Sequence, residues 1–111
     1  MARAVAQFNR GRYFECHETL EEVWKTIRGP SRDFFQALIQ VSVGFHHLAR
    51  GNRAGALRTF SKALARFEAY PPRYFGFDVD AERARLRAPP TDRPTWRFDD
   101  LALVEGAPPN S

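Results

Sequence analysis

The stretch FFQALIQVSVGFHHLA, which runs from Phe34 to Ala49, is apolar around most of the circumference of a helix. A helix with so few polar positions is stable in water only when neighbouring elements cover it. The stretch therefore predicts a buried central helix at about 32–49 and an all-α fold arranged around it. A Gly-Pro pair precedes this helix, and Ser31 is placed to cap its N-terminus.

Four further helices are predicted, each bounded by residues that cap or stop helices. Asn52 is placed to cap the fourth helix, and Asp78 or Asp80 to cap the fifth. Pro-Pro pairs break the chain after both of these helices. No stretch has the alternation that is typical of a hairpin of strands. Counting the central helix as the third, the others are predicted at about 2–8, 12–28, 53–70 and 79–87.

The helices are expected to form one domain, residues 1–90, because a chain of 111 residues is long enough to bury a single core. The segments GRYFECHETLEEVW, from Gly11, and GNRAGALRTFSKAL, from Gly51, align weakly, which supports antiparallel helical hairpins. An irregular C-terminal tail, 91–111, follows the domain. It contains four apolar side chains that could dock on the body of the domain: Trp96, Phe98, Leu101 and Leu103.

The net charge of +4 comes from 17 basic and 13 acidic residues. The arginines are scattered rather than clustered in a stripe, so we expect no nucleic-acid partner. No apolar run approaches the roughly 20 residues that cross a bilayer, and the N-terminus lacks the apolar core of a secretory signal. With a single cysteine, Cys16, these features predict a cytoplasmic protein without a membrane partner. Ten phenylalanines could leave apolar surface exposed, which is compatible with a homodimer.

The predicted second helix contains the unusual run FECHETLEEVWK, from Phe14 to Lys25. Its apolar arc includes Cys16, which should act as a small buried hydrophobe rather than as a nucleophile. Most of its glutamates face solvent on the opposite side. His17 and Glu21 lie at the border of the core, and they are four residues apart, so their side chains can meet.

The central helix carries one narrow polar stripe, formed by Gln36, Gln40 and His47. Buried amides and imidazoles need hydrogen-bond partners, because an unpaired one costs about 1–3 kcal/mol. Of the neighbouring helices, only the second offers polar residues at its core border. We therefore expect antiparallel packing to bring the stripe within hydrogen-bonding or one-water reach of His17 or Glu21.

These residues carry a resemblance to a known family. FNRGRYFECHETLEEVW, followed by FFQALIQVSVGFHHLARGNRAGAL, resembles domain-of-unknown-function family 309 of bacteria and archaea. Its HxxxExxW signature is matched by His17, Glu21 and Trp24, and the likeness extends from about Phe8 to Asp80. The resemblance implies a small all-α fold and no established activity.

Two functional interpretations remain open for the polar cluster. In the first, it is a structural hydrogen-bonded network inside a module that binds a protein or a small molecule, with no cofactor. In the second, His17, Glu21 and His47 bind Zn or Fe in a metal-dependent, hydrolase-like enzyme. A pocket open to solvent at His17 favours a ligand or metal site, whereas a network should be closed over by Trp24 and Tyr13. The catalytic residues of such an enzyme cannot be assigned from the sequence, and whether the protein is an enzyme stays open.

Overall fold

Five α-helices and one short hairpin make up the part of the chain that the computed structural model describes, residues 1–88 and 94–98. The all-α prediction is confirmed, since the two strands of the hairpin are only two residues long each. In these ranges no helix combines the length and the apolar character needed to cross a bilayer. The elements, in chain order, are α1 (Ala2–Asn9), α2 (Tyr13–Thr26), α3 (Ser31–Ala49), α4 (Arg53–Phe67), β1 (Arg73–Tyr74), β2 (Phe77–Asp78) and α5 (Val79–Arg87).

The central element is α3, which packs against both α2 and α4. Its apolar side chains, among them Phe34, Phe35 and Leu38, are fully buried. Burial of each such side chain stabilises the fold by about 1.5–3 kcal/mol relative to exposure. The position predicted for the central helix from its apolar circumference is therefore confirmed.

Close packing between α3 and α4 depends on Gly44. A Cβ atom at this position would lie 2.3–3.1 Å from three atoms of the Phe60 ring. Phe60 is almost completely buried, so its ring has little freedom to move away. The absence of a side chain at Gly44 lets the ring pack directly on the backbone of α3.

Two of the predicted helix caps are present, and one prediction was wrong. Asn52 accepts a hydrogen bond from the backbone N–H of Gly55 (3.0 Å), and Asp78 accepts one from that of Ala81 (2.9 Å). Ser31, however, lies inside the first turn of α3, and no side chain caps this helix. The buried Ser31 hydroxyl instead shares a hydrogen bond of 2.7 Å with the hydroxyl of Tyr74. The hydroxyl that was expected to cap α3 therefore bonds to the hairpin instead.

The β1–β2 hairpin was not predicted from the sequence. Its antiparallel strands are joined by Phe75 and Gly76, which both have positive φ angles, 55° and 72°. Two consecutive positive φ angles are typical of a type I′ turn, whose usual sequence signal is Asn-Gly rather than Phe-Gly. The side chains of Phe75 and Phe77 are buried, and their rings contact Phe34 near the beginning of α3. The hairpin thus covers one end of the central helix.

The segment 94–98 docks on the body of the domain, as predicted for two of its side chains. The Trp96 ring stacks on Phe8, with 3.7 Å between ring centroids, and Phe98 stacks on Phe77 at 4.6 Å. Both residues are buried. The other two side chains for which docking was predicted lie outside the described residues: Leu101 and Leu103.

Polar contacts also hold this segment in place. The side-chain amide of Asn9 donates to the Trp96 carbonyl (3.1 Å), and its oxygen accepts from the Trp96 backbone N–H (2.7 Å). The Trp96 indole N–H donates to Glu82 (2.9 Å), which is only 2% exposed and also accepts from Arg85 (2.6 Å). Burial raises the pKa of Glu82 above its ordinary value, while Arg85 and the hydrogen bond from Trp96 act in the opposite direction.

We predict that Gly44→Ala lowers the free energy of unfolding by about 1–3 kcal/mol, the usual cost of overpacking a core. The loss should be smaller in a Phe60→Leu background, because leucine leaves room for the added methyl group. Denaturant unfolding of the four proteins of this cycle measures both values. Equal losses in the two backgrounds would show that contact with the Phe60 ring is not the cause.

The raised pKa of Glu82 predicts a pH dependence of stability. The folded protein holds this proton more tightly than the unfolded chain, whose carboxyl has the ordinary value of 4.5. The stabilisation is therefore complete below that value and is lost as the pH rises through the folded-state pKa. Relative to Glu82→Gln, the wild type should therefore lose free energy of unfolding as the pH rises above about 4.5.

Denaturant unfolding of both proteins across this pH range measures the effect. A wild type that instead gains stability over Glu82→Gln with rising pH would mean that pairing with Arg85 outweighs the burial of the carboxylate.

Candidate functional site

Two pockets at the border of α2 and α3 are lined by two of the three residues of the HxxxExxW signature, and the surface that contains both pockets is named here the α2–α3 groove. His17 and Trp24 are seven residues apart, about two helical turns, so they lie on the same face of α2. Each lines a pocket to which α3 also contributes, and Arg66 of α4 lines one of the two pockets as well. The pocket of about 190 Å³, named here the His17 pocket, is lined by Tyr13, Phe14, His17, Val43 and His46. The pocket of about 480 Å³, the Trp24 pocket, is lined by Trp24, Gly29, Pro30, Arg32, Asp33, Gln36 and Arg66.

His17 and Glu21 form the pair expected from their spacing. Nε2 of His17 lies 3.3 Å from a carboxylate oxygen of Glu21, and Nδ1 lies 2.9 Å from the carbonyl oxygen of Phe14. Since a carbonyl and a carboxylate both accept, the ring makes both contacts at once only when both nitrogens carry protons. The side chains are 20% and 47% exposed, so the pair contributes at most about 1 kcal/mol to stability.

The polar stripe of α3 does not join this pair. The Gln40 side-chain oxygen accepts from Nε of Arg66 on α4 (3.1 Å), and Nδ1 of His47 accepts from the Asn52 side-chain amide (3.3 Å). In residues 1–88 and 94–98, no hydrogen bond connects the stripe to His17 or Glu21. Two members of the stripe face α4 rather than α2, so the expectation that α2 alone could satisfy them was wrong.

The remaining member of the stripe, Gln36, lines the Trp24 pocket. Arg66 of α4 also lines this pocket, and its guanidinium turns towards α3, where it pairs with Asp33 and Gln40. The sequence signal was available, because a long arginine side chain at a helix border can reach a polar stripe on the neighbouring helix.

The proposed metal ligands are not assembled into a site. Across the described ranges, no group of three or more His, Cys, Asp or Glu side chains is arranged to hold a metal ion. His17 and Glu21 are adjacent, but His47 contacts Asn52 at the start of α4. The three-ligand arrangement predicted as the alternative therefore does not occur in this conformation.

The thiol of Cys16 is poorly suited to act as a nucleophile. Its side chain is fully buried, and burial raises the pKa of the thiol to about 12, although hydrogen bonding with Ser42 and with the Phe8 backbone lowers it in part. Because the thiolate is the nucleophile, a thiol with this pKa does not react readily near neutral pH. This agrees with the expectation that Cys16 serves as a core residue.

His17 is not enclosed as a buried network would require. Tyr13 forms part of the wall of the His17 pocket, but Trp24 lines the other pocket and does not cover the imidazole. Phe14 is 48% exposed, and its ring lies 5.1 Å from that of His17 and 5.4 Å from that of His46. Two imidazoles and an exposed aromatic ring thus surround an accessible pocket.

The Trp24 pocket contains an arginine in a fixed position. The guanidinium carbon of Arg32 lies 3.8 Å from the centroid of the Trp24 ring, a cation–π contact. Nη1 of Arg32 donates to the carbonyls of Trp24 (3.2 Å) and Ile27 (3.0 Å) at the end of α2. The indole N–H of Trp24 is buried and has no partner among the described residues. Sequence reasoning identified Trp24 but missed Arg32.

Comparison with known proteins assigns the chain to a family. The family model described as "Domain of unknown function (DUF309)" matches residues 1–59, more than half of the chain, and the chain therefore belongs to this family. The "Uncharacterized protein YpuF" of Bacillus subtilis (strain 168) is 40% identical over 58 residues, which are 51% of this chain and 33% of the relative. An "Uncharacterized protein" of Aquifex aeolicus (strain VF5) is 26% identical over 87 residues, 78% of this chain and 26% of the relative. The chain spans a third or less of the length of both.

We predict that Glu21→Ala lowers the free energy of unfolding by less than about 1 kcal/mol, because the His17–Glu21 pair is accessible to solvent. Glu22→Ala is the matched control, since Glu22 pairs with Lys25 on the exposed face of the same helix. Denaturant unfolding should give similar values for the two variants. A loss of about 3–5 kcal/mol for Glu21→Ala alone would indicate a buried ion pair instead.

Proposed function

We propose that this member of the DUF309 family is a binding module, and that the α2–α3 groove is its ligand-binding surface. The observation that carries the proposal is the position of the signature residues. His17 and Trp24 line pockets at the two ends of the groove, and Glu21 lies beside His17 on the same helix. The partner is a small molecule or a segment of a protein that contacts both helices.

The exposure of the signature supports a role in binding. A residue pattern required only for the fold would consist mainly of buried apolar positions such as Leu20 and Phe34. Glu21 is 47% exposed and contributes little to stability through His17. A histidine and a carboxylate beside an open pocket are better suited to contacting a ligand.

The shape of the groove also suits a ligand. Pockets that bind small molecules combine apolar and aromatic walls with a few polar groups, and typically occupy about 300–1,000 Å³. The Trp24 pocket, at about 480 Å³, lies in this range, and the His17 pocket adds about 190 Å³. A ligand that reaches both pockets would extend along two turns of α2.

The metal-dependent enzyme is less well supported. Zn or Fe bound by His17, Glu21 and His47 would require His47 to leave Asn52 and to cross to the α2 side of α3. The buried thiol of Cys16 offers no alternative nucleophile. The paired His17 and Glu21 alone are an incomplete set for acid–base chemistry.

A thermal-shift comparison tests the proposal with a defined panel of amino acids, organic acids, nucleotides and short peptides. A compound present at about 100 times its Kd stabilises the folded protein by about 2.7 kcal/mol, which raises Tm by several degrees. We expect some members of the panel to raise Tm of the wild type and of Glu22→Ala, but not of Glu21→Ala or His17→Ala.

Two outcomes would contradict this expectation. Compounds that stabilise all four proteins equally would bind away from the groove. Stabilisation by Zn or Fe that is lost in His17→Ala and in His47→Ala would support the enzyme instead, because a groove-binding role does not involve the His47 side chain.

A further inference from the structure

Only Nη1 and one face of the Arg32 guanidinium make contacts with the described part of the chain. Both hydrogen bonds to the end of α2 are made by Nη1, and the face of the guanidinium lies against the indole ring of Trp24. The described part of the chain provides no partner for Nε or Nη2, which together form one edge of the guanidinium. These two N–H groups form a fork that matches the two oxygens of a carboxylate. The arginine is thus positioned before any ligand arrives.

A second donor, on a side chain that lines the same pocket, also has no partner in the described part of the chain. The indole N–H of Trp24 is buried without an acceptor in residues 1–88 and 94–98. A buried donor without a partner costs about 1–3 kcal/mol, and nearly all buried donors in folded proteins have one. The Trp96 indole, by contrast, donates to Glu82. The difference between the two indoles points to an acceptor that arrives from outside the described chain.

The charges lining the Trp24 pocket favour a single negative charge. Arg66 is paired with Asp33 and also donates to Gln40, so its charge is compensated. The charge of Arg32 has no carboxylate partner in the described chain. The first turn of α3, which has no side-chain cap, lines the same pocket and adds the positive end of a helix dipole. Asp33 would repel a second negative charge.

We infer that the Trp24 pocket is a carboxylate-binding site, in which the Nε–Nη2 edge of Arg32 holds both carboxylate oxygens and the Trp24 indole N–H donates to the bound group. The inference rests on the proposed binding function and specifies the ligand chemistry for one end of the groove. Two planar oxygens fit the arginine fork, and one negative charge balances the one uncompensated cation. A phosphate dianion would bring excess charge close to Asp33.

The pocket is larger than a carboxylate group alone. Its volume of about 480 Å³ leaves space for the atoms that carry the carboxylate, against Trp24 and Pro30. The carboxylate can belong to a free organic acid or to the C-terminus of a peptide. The chemistry recognised by Arg32 is the same for both sources.

The indole N–H resonances of the two tryptophans provide a direct test by ¹H–¹⁵N NMR. The full chain is titrated with sodium acetate, succinate, and an N-acetylated tripeptide with a free C-terminus. Acetamide, the same tripeptide as its C-terminal amide, and inorganic phosphate serve as probes without a carboxylate, all at equal ionic strength. Trp24→Phe identifies the Trp24 signal, and the Trp96 signal is the internal control because that N–H already has an acceptor.

We expect the carboxylates to move the Trp24 signal downfield in a saturable way, and the amides and phosphate to leave it unchanged. Arg32→Lys should weaken binding at least about tenfold, since an ammonium cannot offer the two-donor fork. Arg28→Lys is the matched control, because Arg28 also donates to the Ile27 carbonyl but does not line the pocket. Preferential binding of the tripeptide acid identifies a chain terminus as the source, and equal binding of acetate identifies a free acid.

The wild-type titration decides the question even if Arg32→Lys does not fold. A Trp24 signal that responds equally to acid and amide, that responds to phosphate alone, or that moves only in step with Trp96, would overturn the inference. If the carboxylates fail while other compounds still require Glu21 for their thermal shift, only the carboxylate site is wrong. If the carboxylates bind through Arg32 but no compound depends on Glu21 or His17, the site survives and the wider groove does not.

Discussion

The structure depends on the need to cover α3 on nearly every side. Because its apolar side chains occupy most of its circumference, α3 is covered by α2, by α4 and, at its beginning, by the aromatic residues of the hairpin. Gly44 allows one of these contacts, with Phe60, to be unusually close. The few polar residues of α3 are consequently confined to the borders between neighbours. Because a residue at such a border can turn towards either neighbouring helix, its hydrogen-bond partners depend on how the helices pack.

The sequence predicted the helices well because their signals are local. Apolar periodicity and stop residues placed α3 and α4 near their observed positions, and Asn52 and Asp78 cap as their residue types suggested. Prediction failed where tertiary contacts chose among local options. Ser31 bonds to Tyr74 instead of capping α3, and Phe75 adopts a positive φ that its residue type does not favour. Both depend on the aromatic cluster around Phe34, which no short window of sequence reveals.

The candidate site was predicted in part, for a related reason. A face map of a single helix correctly brought His17 and Glu21 together and placed Trp24 on the same side. It could not determine which neighbour the α3 stripe faces, because that depends on the angle at which three helices pack. The face map also could not show how far a long side chain extends towards a neighbouring helix. Arg66 crosses from α4 to Gln40, and this arginine supplies the partner that α2 had been expected to provide.

Because the polar stripe of α3 does not bond to His17 or Glu21, the structural role expected for these two signature residues does not apply. If the polar residues of α3 had bonded to His17 and Glu21, one buried network would have accounted for all of them as determinants of helix register. Their actual partners on α4 leave the side chain of Glu21 about half exposed and that of His17 beside an open pocket. Trp24 is coupled to the next helix through Arg32, whose Nη1 closes the end of α2 while its other edge remains available. In the carboxylate site proposed above, Arg32 combines this structural contact with ligand binding, so α2, α3 and the Trp24 pocket must keep their relative positions for either role.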